Sequence, residues 1–423
     1  MIKRDFYLDR LIHNMWNGEI KVITGIRRCG KSVLLFDLFY EYLLAQNTPE
    51  DHIIRIELDQ RKYYKFRNPI TLCEYVDKKI KDHKDEQFFL LVDEVQFTHT
   101  VVDKENGGIA VTIYDMLNEL KSYKNLDVYV TGSNSRMLSK DIATEFRGRA
   151  TQIRVYPLSF EEYYSYIGGE KKEAINLYML YGGMPRIALL SDEKDKKRYL
   201  TDLYDELYIK DIVERNSLKR EDILNDILDF VASQVGSLTN PTNIANALAS
   251  MRHENVNAKM ISDYLTHAMD AFLIDIARRY DVKGKTYFNY PNKYYYTDIG
   301  LRNARLNYRQ YDPGHIMENI IYNELVKRGY SVDVGHITER KGNEKISREI
   351  DFVVNDGDRR IYIQSAWQME TEQKENTELK PLLLTGDYFK KIVVRMDIPH
   401  NYYDDNGFFH CNLMDFLLGN VLL

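Results

Sequence analysis

Cysteine is scarce in this sequence, at three residues among 423 (Cys29, Cys73 and Cys411). Three cannot build a disulfide framework, and their positions show no metal-ligand spacing. Such usage points to a reduced, cytoplasmic setting. Long apolar runs are missing too: none approaches the roughly 18–20 residues of a membrane helix. No membrane partner is therefore expected. The opening MIKRDFYLDRL carries charges where a signal peptide places its apolar region. There is no internal repeat and no low-complexity linker. A dominant charge is also lacking, and the net −6 argues against a surface coated with nucleic acid, while one basic face stays compatible with it. What is present is ordinary globular material, 44% hydrophobic and 29% charged. The 33 tyrosines are dispersed and mark no aromatic platform. A chain of 423 residues exceeds one comfortable core, so two or three domains are expected.

Three regions separate by pattern. In the first, 1–165, short apolar strands alternate with amphipathic helices, the pattern of a parallel α/β sheet. EIKVITG (19–25), IIRIEL (53–58), FFLLVDE (88–94) and LDVYVTG (126–132) read as strands. They are nearly continuous apolar runs, as expected of strands covered on both faces. The second region, 166–308, reads as helical with polar breaks at GGMP, SLTNPTN and YFNYPNK. The third, 309–423, is mixed again: a helix over 314–328, then strands near YSVDVGH, REIDFVV, RIYIQSA and KKIVVRM.

GIRRCGKS, from Gly25 to Ser32, fits G-x-x-x-x-G-K-[ST]. It follows a strand and opens the helix SVLLFDLFYEYLL, the context this phosphate-binding loop requires. Its glycines let backbone N–H groups close on a phosphate, and the helix N-terminus adds partial positive charge. ATP with Mg²⁺ is thus the expected ligand of Gly25, Arg28, Cys29, Gly30, Lys31, Ser32 and Val33. Lys31 is expected to reach the β- and γ-phosphates and Ser32 to ligate Mg²⁺. In FFLLVDEVQ a buried strand ends in two carboxylates at the sheet edge where ligands bind. Asp93 is expected to hold Mg²⁺ through its water shell, and Glu94 to orient or deprotonate the attacking water. Gln96 is either a water-positioning residue or a polar loop residue. Ser133 or Asn134, at the end of LDVYVTGSNSRML, is either a γ-phosphate sensor or a helix cap. Arg147 and Arg149 in EFRGRA suit an arginine finger presented to a neighbour in a homo-oligomer, or an exposed basic loop.

GIRRCGKS, LLVDEVQ, VTGSNSRML, RGR and YPLSFEEY together resemble the prokaryotic AAA-type ATPases that carry a C-terminal domain of unknown function. These are related to archaeal ATPases and signal-transducing NTPases. The resemblance continues through YGGMPR, YIKDIVERN, SLTNPTNIANAL, KYYYTDIGLRNA and HIMENIIYNEL. It implies that Gly183 and Pro185 lie near the adenine, whereas the residues alone read as a helix-breaking turn. It also implies a winged-helix-like module over 230–280, where Arg252, Asn257 and Lys259 sit on a candidate DNA-recognition segment.

The last third resembles a PD-(D/E)xK nuclease fold. Glu318 on a helix and Asp351 at a strand end match two of its metal-binding positions. The third motif departs: IYIQSAW places Gln364 and Ala366 where Glu and Lys belong, which puts cleavage in doubt. Arg340, Lys341, Lys345 and Arg348 nearby suit phosphate or an exposed hairpin. The expected fold is therefore α/β: a P-loop parallel-sheet ATPase domain, a helical winged-helix-like domain and an α/β nuclease-like C-terminal domain. The expected function is Mg-dependent ATP binding and hydrolysis coupled to DNA. The alternatives are a slow ATP/ADP switch gating a protein partner and, more weakly, an ATP-regulated nuclease.

Overall fold

The computed structural model describes residues 1–103, 107–132, 150–253, 256–289, 291–357 and 359–421. These form two compact units: Met1–Tyr156 with Asp270–Phe272, and Pro157–Met269 with Leu273–Leu423.

The first unit is built on five parallel strands in the order Ile53–Glu57, Phe88–Asp93, Leu126–Gly132, Ile20–Thr24, Ala150–Arg154. Four of them match the apolar runs read from the sequence. The fifth, ATQIR, was not anticipated because its mixed polarity suits an edge, where one side lacks a neighbour. Leu72, Val76 and Ile80 of the helix Pro69–Ile80 and Leu117 and Leu120 of Ile113–Leu120 pack with Ile56, Leu90, Val92 and Val128 of the sheet. Local chemistry starts both helices. Asn68 caps the first ahead of Pro69 at its first turn, and Thr112 with Asp115 forms a capping box on the second. The strand Leu126–Gly132 lies between the loop-bearing strand and the acidic strand, so the ends of all three meet along one edge.

Lys21 and Asp127 form an ion pair inside this sheet with side-chain exposures of 0% and 4%. Tyr129 Oη and the Trp16 amide donate to the other oxygen of Asp127, at 3.0 and 3.1 Å. Burial lowers the Lys21 pKa, opposed by the charge of Asp127.

The second unit starts with helices, including Lys171–Tyr181, Glu221–Ser233, Pro241–Arg252 and Ala258–Asp270. The expected helical middle gives way to strands at Ile274, where Ile274–Ala277 pairs antiparallel with Lys293–Tyr296. Both strands are rich in aromatic and β-branched residues, which favour the pleated surface over a helix. An eight-stranded mixed sheet completes the unit, with Ser331–Lys341, Glu344–Asp356, Arg359–Ala366 and Lys390–Arg395 at its centre. Two of its strands, Arg279–Asp281 and Thr286–Tyr287, precede residue 308. The expected helix over 314–328 is present as Pro313–Lys327. Among the described residues no helix is long and apolar enough to cross a membrane.

Candidate nucleotide site

The loop after Ile20–Thr24 has the backbone its glycines allow. Gly25 lies at φ 144° and Gly30 at φ 101°, with Arg28 also left-handed at φ 61°. A side chain on Gly25 would place its Cβ 2.1 Å from the Val155 carbonyl oxygen, so only glycine fits. Left-handed residues interspersed along a turn let backbone N–H groups form an anion-binding concavity. The Lys31 ammonium is buried and donates to the Gly25 and Ile26 carbonyls at 3.0 and 3.1 Å. Cys29 is wholly buried, with its thiol 3.4 Å from the Val155 carbonyl. A residue missed in the sequence completes the support. Arg4 is buried beside the loop and donates to the carbonyls of Cys29 and Tyr156 at 2.9 and 2.6 Å. Nothing local to Arg4 marks this task, since its partners are remote in sequence.

The two carboxylates are separated by conformation. Asp93 ends the strand and is buried; burial raises its pKa, while hydrogen bonds from Thr131 and Ser32 oppose the shift. Glu94 is left-handed, at φ 55° and ψ 54°, a conformation costing about 1–2 kcal/mol for a residue with a side chain. Thr131 holds both: its hydroxyl donates to Asp93 and accepts the Glu94 amide at 2.9 Å. The amide of Gln96 donates to the Glu94 carboxylate. Thr131 was also missed, although a threonine near the end of a buried strand beside the acidic one is a readable signal. Asn134 and Arg149, with Ser133 and Arg147, lie outside the described residues. Val33 is exposed on the first helical turn.

This donor set fits the expected ligand. The Ser32 hydroxyl and the Asp93 carboxylate already meet and offer the hard oxygen ligands Mg²⁺ prefers. Bound Mg-ATP would supply an electrophilic γ-phosphorus. Around it the chain places the buried Lys31 ammonium, the Thr131 hydroxyl between the Asp93 carboxylate and the Glu94 backbone amide, and the Gln96 amide on the Glu94 carboxylate.

Gly183 and Pro185 lie in the second unit, with Pro185 starting the helix Pro185–Leu189. Gly183 is required by close approach, since a Cβ there would stand 2.0 Å from the Leu158 carbonyl. Its amide donates to Asp298 Oδ2 at 2.7 Å, and the Leu301 amide donates to Oδ1 at 3.1 Å. The separate segments YGGMPR and TDIGLRNA are thus one hydrogen-bonded structure. Asn303 adds bonds to the Met179 and Leu180 carbonyls at 2.9 and 3.0 Å.

Burial pushes the Asp298 carboxyl up to about 6, against the backbone donors that favour its charge. An aspartate harder to ionise when folded opposes folding above that pH, and the opposition fades as pH falls toward the ordinary value of 3.8. The gap corresponds to about 3 kcal/mol at neutral pH. Native stability is therefore expected to gain from Asp298 between about pH 7 and about pH 4.5. Asp298→Asn should shrink that gain in denaturant titrations at the two pH values. Parallel curves for both proteins would exclude Asp298 as the source.

The pairs of the nuclease-like resemblance do come together. Glu318 on Pro313–Lys327 and Asp351 on Glu344–Asp356 both meet the buried Lys293 ammonium, at 2.8 and 3.4 Å. Glu349 meets the same nitrogen at 2.7 Å. Burial works against that charge, but the carboxylates overcome it and hold Lys293 above the ordinary lysine value. Burial also pushes Glu318 up to about 7. Gln364 accepts the Asp351 amide at 3.4 Å and donates to Glu378 at 3.0 Å, and Ala366 is buried. Lys293 was not singled out in the sequence, where it closes the polar break YFNYPNK of a region read as helical.

Comparison with known proteins places the N-terminal region in a known domain family. Residues 17–164 match the AAA domain family, and residues 172–312 match a domain of unknown function (DUF8612). An uncharacterized protein of Haemophilus influenzae is 32% identical over 403 residues, covering 92% of this chain and 95% of its own. One from Methanocaldococcus jannaschii is 27% identical over 428 residues, covering 93% and 87%. Among solved structures, the Walker-type ATPase of Pyrococcus abyssi aligns at a TM-score of 0.48 and 16% identity, over 72% of this chain and 96% of that one. The 32% identity over nearly the whole of both chains and the AAA match over 17–164 show the family: the chain belongs to that of the Haemophilus influenzae protein, and its N-terminal part is an AAA-type P-loop ATPase domain.

Proposed function

We propose that the chain hydrolyses ATP with Mg²⁺ and that DNA is the effector of this activity. The observation supporting hydrolysis is the clamp at the sheet edge, where Thr131 holds Asp93 and Glu94 in different orientations. A metal-positioning carboxylate and a separately oriented base are the two roles water attack on a γ-phosphate requires. Glu94 takes the proton as the water attacks, and Lys31 stabilises the charge on the phosphoryl oxygens.

DNA binding is assigned to the hairpin formed by Ser331–Lys341 and Glu344–Asp356. Arg340 stands opposite Lys345 in its register, with Lys341 beside them, and all three are exposed. Other basic residues suit DNA less well. Arg252 is spent on Asp222 and Asp226, and Arg348 on Glu339. Asn257 caps Lys259 through its backbone amide at 2.8 Å. Those pairings favour a second reading, a nucleotide switch acting on a protein partner.

The test is the steady-state ATPase rate with duplex, single-stranded and branched DNA across a salt series. Stimulation should weaken with salt at a log–log slope of about −3 if three cations neutralise phosphates. Replacing Arg340, Lys341 and Lys345 together by Glu should abolish it. A rate indifferent to every DNA would reject the DNA reading and favour the protein switch.

A further inference from the structure

The carboxylate cluster of the second unit already contains a cation, and it is part of the chain. Lys293 comes from the strand Lys293–Tyr296, which pairs with Ile274–Ala277 and is not a strand of the large sheet. Its ammonium has three N–H donors and faces three carboxylates: Glu349 at 2.7 Å, Glu318 at 2.8 Å and Asp351 at 3.4 Å. Every donor has an acceptor, so none is left to orient a water or a phosphate.

Further hydrogen bonds hold the cluster. Tyr295 Oη donates to Glu318 Oε1 at 2.6 Å, and the Ser365 amide donates to Asp351 Oδ2 at 2.9 Å. Gln364 bridges the Asp351 amide and Glu378. The site is also roofed: Gly236, in the turn after Glu221–Ser233, lies so close that a Cβ there would be 3.1 Å from the Glu318 carboxylate. Lys293 is 2% exposed, Glu318 7% and Asp351 8%. Glu349 alone reaches the surface, with its side chain 36% exposed, so a polymer phosphate would meet one carboxylate there and not the buried ammonium.

A divalent ion would need the carboxylate oxygens that the ammonium holds. Mg²⁺ draws its ligands to about 2.0–2.1 Å, within the space that Lys293 fills, and two like charges so close in a buried site repel strongly. Gln364, neutral where a metal site would place a carboxylate, removes charge that a divalent ion needs and a monovalent ammonium does not.

We propose that Lys293 takes the place of a divalent cation among Glu318, Glu349 and Asp351, so that this nuclease-like cluster is a metal-free latch joining Lys293–Tyr296 to the helix Pro313–Lys327 and the strand Glu344–Asp356. The second unit then performs no metal-dependent phosphodiester cleavage. Its carboxylates hold the segment carrying Lys293 and Asp298 against the C-terminal sheet.

The experiment is Mn²⁺ binding followed by electron paramagnetic resonance on the full nucleotide-free chain, comparing native, Asp351→Asn, Lys293→Met and Lys293→Met/Asp351→Asn. Methionine keeps the length and packing of lysine without its charge. The native chain should show no Mn²⁺ binding sensitive to Asp351→Asn. Lys293→Met should gain one saturable site, lost again in the double variant. An Asp351-dependent Mn²⁺ site in the native chain overturns the proposal, as does a folded Lys293→Met chain that gains no site. If Lys293→Met cannot be purified, native against Asp351→Asn decides alone. Binding that is the same in both upholds the latch, and binding lost in the variant refutes it. Any residual metal at Ser32 and Asp93 is common to all four proteins and cancels.

Discussion

Glu94→Gln is expected to retain ATP affinity while kcat falls about 10²–10⁴-fold, the range for losing a positioned general base. The substitution is nearly isosteric, and glutamine meets the same left-handed backbone that Glu94 occupies at φ 55°, so folding should be preserved. The amide from Thr131's partnership is unaffected, because it is the Glu94 backbone N–H that Thr131 accepts. Glutamine's carbonyl oxygen can still accept from Gln96. What disappears is the ability to take a proton from water, a step absent from the bound ground state. Loss should therefore fall on kcat rather than on binding. A fluorescent ATP analogue reports affinity and phosphate release reports turnover. Turnover equal to native would remove Glu94 from this role. Asp93→Asn gives the contrast, weakening Mg-dependent binding itself because Asp93 meets Ser32.

The largest stability effect is expected at the opposite end of the same sheet. Asp127→Ala should cost about 3–5 kcal/mol, because it leaves the Lys21 ammonium without its buried counter-charge. Lys21 would keep the Glu19 carbonyl at 2.9 Å, Asn17 Oδ1 at 3.4 Å and the Tyr129 ring at 4.8 Å, none of them charged. Tyr129 Oη and the Trp16 amide would each lose an acceptor. Lys21→Met/Asp127→Leu should recover most of the loss, since apolar side chains remove both charges at once. Trp16 packs on Phe89 with ring centroids 5.1 Å apart, so its fluorescence reports this unit. Denaturant curves in a Trp367→Phe background isolate that signal. A double variant as unstable as Asp127→Ala alone would show that packing, not unpaired charge, sets the cost.

The nucleotide loop and the acidic strand end were legible because their chemistry is local. Eight consecutive residues from Gly25 carry the turn, the cation and the hydroxyl, and Asp93 and Glu94 adjoin a run of apolar residues that can only be a buried strand. The pattern of the sequence also determined four of the five strands of the first sheet, since covered parallel strands are apolar throughout. Strand order is different. No residue in LDVYVTG states that it will lie between the other two, and that placement alone brings Thr131 to Asp93.

The residues missed share one property, distance along the chain. Arg4 reaches Cys29 across 25 positions, Thr131 reaches Asp93 across 38, Lys293 reaches Asp351 across 58, and Asp298 reaches Gly183 across 115. Hydrogen bonds of this kind depend on the packing of elements whose order no local propensity encodes. The nuclease-like cluster shows the consequence most plainly. The sequence by itself determined that Glu318 and Asp351 are candidate partners and that Gln364 and Ala366 depart from the expected pattern. Only the tertiary structure decided that a lysine from another strand stands between the carboxylates, because a buried charge is satisfied by whatever opposite charge the fold brings within reach.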